Sequence, residues 1–232
     1  MTEFVFIILL LLVISQLQRN ISELFFPQVK FLTDLETKTI ILNDEDGYIN
    51  GLTNDDLVKR GVTSIEEYIQ KISSSPMNFT NEEKDIIEDS VTKAQIFFEE
   101  LKDHFIDSKL ISNMNWNFGL TIDEEYEMGL PHTRYDVIFL TPSHIKRKDI
   151  VKLLIHEKIH VYQRKYKKMF QEKLLENGYE IIGERKKRKD LRSNPDLDEY
   201  VYKKGDKIYD KLGIYEHPNE EISYAIEKKI IV

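Results

Sequence analysis

His156, Glu157 and His160 form an H-E-x-x-H pattern inside an apolar-periodic stretch. On a helix, residues four apart share a face with their Cβ atoms roughly 6 Å apart, so both imidazoles can reach one zinc ion. Glu157 then stands beside that metal, where its carboxylate can take a proton from a water molecule. This is the geometry of zinc-dependent peptide hydrolysis. The helix itself is predicted from about Asp149 to Gln171, because Ile150, Val151, Leu154, Ile155, Ile159, Val161 and Tyr162 make it apolar over much of its circumference. Two histidines and a carboxylate buried there are costly to desolvate unless they share a partner, and a metal supplies one. Arg164, Lys165, Lys167 and Lys168 follow at the C-terminal end, where the helix dipole favours cations.

A catalytic zinc takes three protein ligands and keeps one position open. The chain has no cysteine, so the ligands are His, Asp or Glu, and thiol catalysis is excluded. Gln163 and Tyr166 stand where a metzincin carries glycine and its third histidine, which removes that class. Downstream, Pro218 and Asn219 suit a helix start, with Ile222 and Ala225 or Ile226 as a buried stripe. His217, Glu220 and Glu221 are the candidates there for the third ligand. The donor that would stabilise an oxyanion is sought among His132, Tyr202, Tyr215 and His217. Asn194-Pro195-Asp196-Leu197-Asp198 reads as a turn, with Asp196 or Asp198 alternatively orienting a ligand histidine through its second nitrogen.

The elements that must position these residues are partly legible. Thr80 and Glu83 have capping-box spacing ahead of Ile86, Ile87, Val91, Ala94, Phe97, Phe98, Leu101 and Phe105, which predicts a helix of about 25 residues lying against the His156 helix. Trp116 to Thr121 and Arg134 to Leu140 read as strands, joined through the turn Met128 to Thr133. The second strand, just ahead of the histidine helix, is expected to accept an extended peptide along its edge, with His132 facing that cleft. Earlier in the chain, Lys38 to Leu42 reads as a short strand, Asn43 to Gly47 as an acidic turn without calcium-loop spacing, and Asp55 to Arg60 and Ser64 to Ile72 as short helices either side of Gly61.

Bulk composition fits a folded chain of one ordinary domain with an appendage. Of 232 residues, 41% are hydrophobic and 32% charged, and nine glycines with six prolines leave little room for linkers. A net charge of −8 argues against nucleic acid as the main partner, and the basic run Arg185 to Lys189 reads as a solvated face. Phe4 to Leu17 is nearly all apolar, yet shorter than the roughly 20 residues that span a bilayer. With no positive n-region and no A-x-A cleavage pattern, it is read as an uncleaved single-pass membrane anchor, with a cleaved signal and secretion as the alternative. The expected division is 1–24 anchor, 25–75 mixed region and 76–232 catalytic domain.

Asn219-Glu220-Glu221-Ile222-Ser223 resembles the N-E-x-x-S pattern of gluzincins, the thermolysin-like zinc peptidases. The resemblance implies His156, His160 and Glu220 as zinc ligands and Glu157 as base, and an α+β zincin-like fold with a small mixed sheet packed on the active-site helix. Tyr224 departs from the pattern, since these enzymes place there an aspartate bonded to a ligand histidine. The interval from His160 to Glu220 is also long, which implies an insertion. Together with Pro131-His132-Thr133, Asn194 to Asp198 and His217 to Glu220, the motif is also similar to small zincin-like proteins of large DNA viruses. Three functions follow as expectations: a peptidase, a membrane-tethered structural or binding protein that keeps the metal for stability, and a hydrolase of another substrate.

Overall fold

A computed structural model describes residues 27–185, 193–210 and 216–230 of the chain. Its larger sheet is mixed. β1 (Val29–Phe31), β3 (Trp116–Thr121) and β5 (Val137–Leu140) run parallel in that spatial order, while β2 (Pro76–Met77) pairs antiparallel with the end of β3. β4 (His132–Arg134) forms the far edge, antiparallel to β5. A smaller antiparallel sheet joins β6 (Glu180–Glu184), β7 (Tyr200–Lys204) and β8 (Lys207–Ile208). The helices among the described residues are α1 (Asp34–Leu42), α2 (Asn54–Lys59), α3 (Ile65–Ser73), α4 (Asn81–Glu100), α5 (Ser108–Ser112), α6 (Pro142–Ile145), α7 (Ile150–Lys165), α8 (Lys167–Glu176) and α9 (Pro218–Glu227). The class is α+β.

Strand side chains alternate between faces, and β5 shows what each face buries. Val137 and Phe139 enter one core with Ile41 of α1 and Tyr68 and Ile72 of α3. Ile138 and Leu140 enter the other with Val91 and Phe98 of α4 and Leu154, Ile155 and Ile159 of α7. The sheet therefore lies between two helical layers, and α4 supports α7 as its spacing predicts. Strands from both sides of residue 75 share this one sheet, so the early residues pack as part of it.

Three local readings are corrected. Lys38 to Leu42, expected as a strand, forms the second half of α1, because Thr33 and Glu36 make a reciprocal capping box that starts a helix ahead of the β-branched run. Arg134 to Leu140, expected as one strand, is split into β4 and β5 by a turn at Tyr135, whose φ of 55° reverses the chain. The histidine helix ends at Lys165, and a break at Tyr166 separates it from α8. The acidic turn after α1 is answered by buried Arg134, whose guanidinium reaches Asp46 at 2.5 and 3.0 Å and Asp44 at 3.3 Å. The apolar segment Phe4 to Leu17 and Lys186 to Lys189 lie outside the described residues. Among the described residues no helix is long and apolar enough to cross a membrane.

Candidate metal centre

The histidines sit on a helix that is buried almost throughout. From Ile150 to Gln163 every residue of α7 except Lys152 is buried. Even Lys158, in the middle of the motif, is inside: its ammonium donates to Met114 O at 2.9 Å and to Asn115 O, and stands 4.3 Å from the centre of the Trp116 ring. Those contacts pin α7 to the start of β3.

α9 crosses α7 and delivers the third ligand. It starts where it does because Pro218 takes its first turn and His217 caps it, with the His217 ring Nδ1 accepting from Asn219 N at 3.2 Å. Glu220 then lies in the first turn, facing α7.

Three ligand atoms converge. His156 Nε2 is 3.0 Å from His160 Nε2 and 3.3 Å from Glu220 Oε2, and His160 Nε2 is 3.6 Å from the same oxygen. A tetrahedral ion about 2.0–2.1 Å from each ligand sets neighbouring ligand atoms about 3.4 Å apart, so these separations match the edges of such a site. The partners of the other ring nitrogens decide the tautomers. His156 Nδ1 is 3.0 Å from Glu227 Oε2, and His160 Nδ1 is 2.9 Å from Gln163 Oε1, both acceptors. The Gln163 amide is itself oriented by its Nε2 donating to Asn219 O at 3.1 Å. Each Nδ1 is thus an N–H, which leaves the two Nε2 atoms facing one another and a carboxylate oxygen. This convergence calls for positive charge, which a proton on His156 supplies in the metal-free site and a metal ion in its place would supply. The buried triad can hold a metal ion.

Electrostatics agree. Burial opposes a charge on His156, but Glu220 and Glu227 outweigh it and raise its pKa to about 10. Glu220 is driven the other way: burial would raise its pKa, yet His160 and His156 hold it far below the usual carboxylate range. Glu157 is 2% exposed, and burial pushes it up to about 8, with Asp196 adding to the rise and the two histidines opposing it. Its Oε2 has no hydrogen-bond partner and lines a cavity of about 710 Å³ that also reaches His156 and Glu220.

No protein-family model, curated protein or solved structure matches this chain. The site is therefore read from its own geometry.

Several predicted residues are placed elsewhere or differently. His217, nominated as ligand or catalytic group, is fully buried with both nitrogens engaged, Nδ1 at the cap and Nε2 donating to Asp198 at 3.0 Å, so it serves the fold of α9. Tyr202 donates to the same Asp198 at 2.8 Å, and Tyr215 lies outside the described residues. Glu221 pairs with Lys207. Neither aspartate of the turn orients a ligand histidine: Asp198 holds His217, and Asp196 accepts from Thr133 N at 2.7 Å and Thr133 Oγ1 at 2.8 Å.

His132 does line the cavity, but as an acceptor. Its Nδ1 donates to Leu130 O at 2.9 Å, burial lowers its pKa, and its buried Nε2 has no partner. Neutral His132 consequently presents a lone pair, and the oxyanion-donor role expected of it does not fit. The expected substrate strand is also corrected. β5 is paired on both sides, and the true edge, β4, has its outward groups taken: Arg164 donates to Thr133 O at 3.1 Å and Tyr135 O at 2.9 Å, and Asp196 takes the Thr133 N–H. Pro131 has no N–H to offer.

Sequence reasoning missed Glu227, Gln163 and Asn194. Gln163 is three residues after His160 and Glu227 seven after Glu220, both spacings that return to one helix face. Asn194 Nδ2 donates to Glu220 Oε1 at 3.1 Å, while Oε2 faces His156 and His160. Where Tyr224 departs from the gluzincin pattern, Glu227 one turn later supplies the carboxylate on His156, and the Tyr224 ring packs 4.5 Å from the His156 ring.

Proposed function

We propose that this protein is a zinc metallopeptidase with a zincin-like fold, in which His156, His160 and Glu220 hold zinc and Glu157 is the general base. The observation that carries this reading is the convergence of two Nδ1-protonated histidines and one carboxylate oxygen on a point beside an unpartnered, buried carboxylate. Zinc bound there supplies Lewis acidity that polarises a carbonyl and lowers the pKa of water. Burial raises the pKa of Glu157 to about 8, and a dication held by the triad would favour its ionised, proton-accepting form. Glu157 takes a proton from the attacking water and passes it to the leaving amine. The phenol of Tyr224 lines the cleft, and burial raises its pKa to about 12, so it keeps its proton and is the donor for the developing oxyanion. Two imidazoles and one carboxylate suit zinc and Fe(II) alike, and the H-E-x-x-H helix with Glu157 beside the ligands favours zinc.

Chelation is expected to abolish cleavage of a fluorogenic peptide library, and one equivalent of zinc to restore it. Full cleavage in the metal-free protein would sink the proposal. For Tyr224→Phe the expected result is a fall in kcat of about a hundredfold with KM nearly unchanged, and an unchanged kcat would remove Tyr224 from the mechanism.

A further inference from the structure

The turn Ser193 to Asp198 closes one side of the cleft and carries an anion with it. Asp196 and Arg164 occupy the outward backbone groups of β4 at Thr133 and Tyr135, and Arg164 also donates to Pro195 O at 2.7 Å, which ties the turn to the strand. The β4 edge is therefore unavailable for pairing with an extended peptide. At the same turn, Asn194 Nδ2 donates both to the ligand Glu220 at 3.1 Å and to Glu216 Oε1 at 3.3 Å. Glu216 is 6% exposed, lines the cavity, and has no ion-pair partner among the described residues.

Among the described carboxylates lining the cavity, only Glu157, the proposed general base, shares with Glu216 the lack of an ion-pair partner. Glu127 is paired with Arg60, Asp149 with Arg147 and Glu227 with His156, and Lys59 stands at the exposed rim. A buried carboxylate without a counter-charge is costly, so its presence beside a cleft points to a cationic ligand. Independently, His132 Nε2 is a second buried acceptor without a partner on the same cavity wall. An ammonium group offers three N–H donors to such acceptors.

We propose that Glu216 receives the α-ammonium group of a peptide substrate, so that the cleft selects amino termini and the enzyme removes residues from the N-terminal end. The inference rests on the peptidase reading for its substrate class and on Glu216 for its selectivity.

The test measures binding apart from turnover. Zinc-loaded Glu157→Gln protein is titrated calorimetrically with a tetrapeptide, its N-acetylated form, and an N-acetylated form carrying lysine at the first position. The free peptide is expected to bind about tenfold more tightly than the acetylated one, and adding Glu216→Gln, which preserves the Asn194 contact, should erase that ratio while zinc content stays at one equivalent. Equal affinity of free and acetylated peptides, no binding of any of them, or a ratio that survives Glu216→Gln overturns the inference. Binding of the lysine form as tight as the free peptide overturns the α-amino assignment in favour of a side-chain ammonium. In parallel, wild-type cleavage of blocked peptides as fast as free ones overturns the inference alone, whereas preserved amine-dependent binding with no cleavage overturns the peptidase reading alone.

Discussion

Glu227 and Gln163 stand against the Nδ1 atoms of His156 and His160, so in the proposed site they would govern metal affinity without touching the metal. Glu227→Gln is expected to weaken zinc binding about 10–100-fold in a competition titration with a chromophoric chelator, and an unchanged affinity would mean the contact is incidental. Glu220→Ala should empty the site, and His217→Ala should keep its zinc while losing about 1 kcal/mol or more in thermal unfolding, because it removes a helix cap and takes one donor from buried Asp198. Zinc lost from His217→Ala but kept by Glu220→Ala would reverse the assignment. At this scale the triad that can hold a metal ion was legible, since its residues are given by spacing within one helix and a short motif in another. The supporting residues were not. Glu227 and His156 are separated by 71 positions, and their contact depends on how α9 crosses α7, which no local pattern encodes.

Among the elements, the turn from Glu127 to Gly129 forms part of the cleft wall and is built from three consecutive residues of positive φ, 49°, 59° and 69°. A Cβ at Gly129 would stand 2.6 Å from Glu124 N, so Gly129→Ala is expected to destabilise by roughly 1–3 kcal/mol in urea unfolding. Stability equal to wild type would show that the turn relaxes freely. The turn is held by Glu127, fully buried and bonded to Arg60 at 2.5 Å, to Tyr48 at 2.8 Å and to Tyr68. Burial raises the Glu127 pKa, but Arg60 and these bonds outweigh it and lower it below 4.5. A depressed folded-state pKa gives stability that is fully present above about pH 4.5 and lost as pH falls through the lower value. Unfolding midpoints measured from pH 7 to pH 3 should fall with acid, and Glu127→Gln, less stable at pH 7, should lose less over the same range; parallel curves would contradict this. Strand β3 and helix α4 were legible because alternation and a capping box agree with their tertiary setting. α1 was misread because its β-branched run, Thr37, Thr39, Ile40 and Ile41, speaks for a strand while the capping box at Thr33 speaks for a helix. The closed state of the β4 edge was invisible, because it depends on Arg164 and Asp196 arriving from distant segments.

At the scale of the molecule, the metal would add a link between α7, which is packed into one of the two cores flanking the sheet, and α9, which already packs on α7 and sends Ile222 and Ile226 into the same core. Binding to the folded state alone contributes about 4 kcal/mol at a zinc concentration 1,000-fold above Kd, so chelation is expected to lower Tm by about 10 °C, and an unchanged Tm would argue that no ion links the helices. The central claim is that Glu157 performs chemistry at a site whose ligands lie elsewhere. Its most direct test is the rate of peptide cleavage by zinc-loaded wild type and zinc-loaded Glu157→Gln at equal metal content. A loss of about 10²–10⁴-fold with zinc still at one equivalent is the expected result, and cleavage at the wild-type rate by the variant would contradict the account.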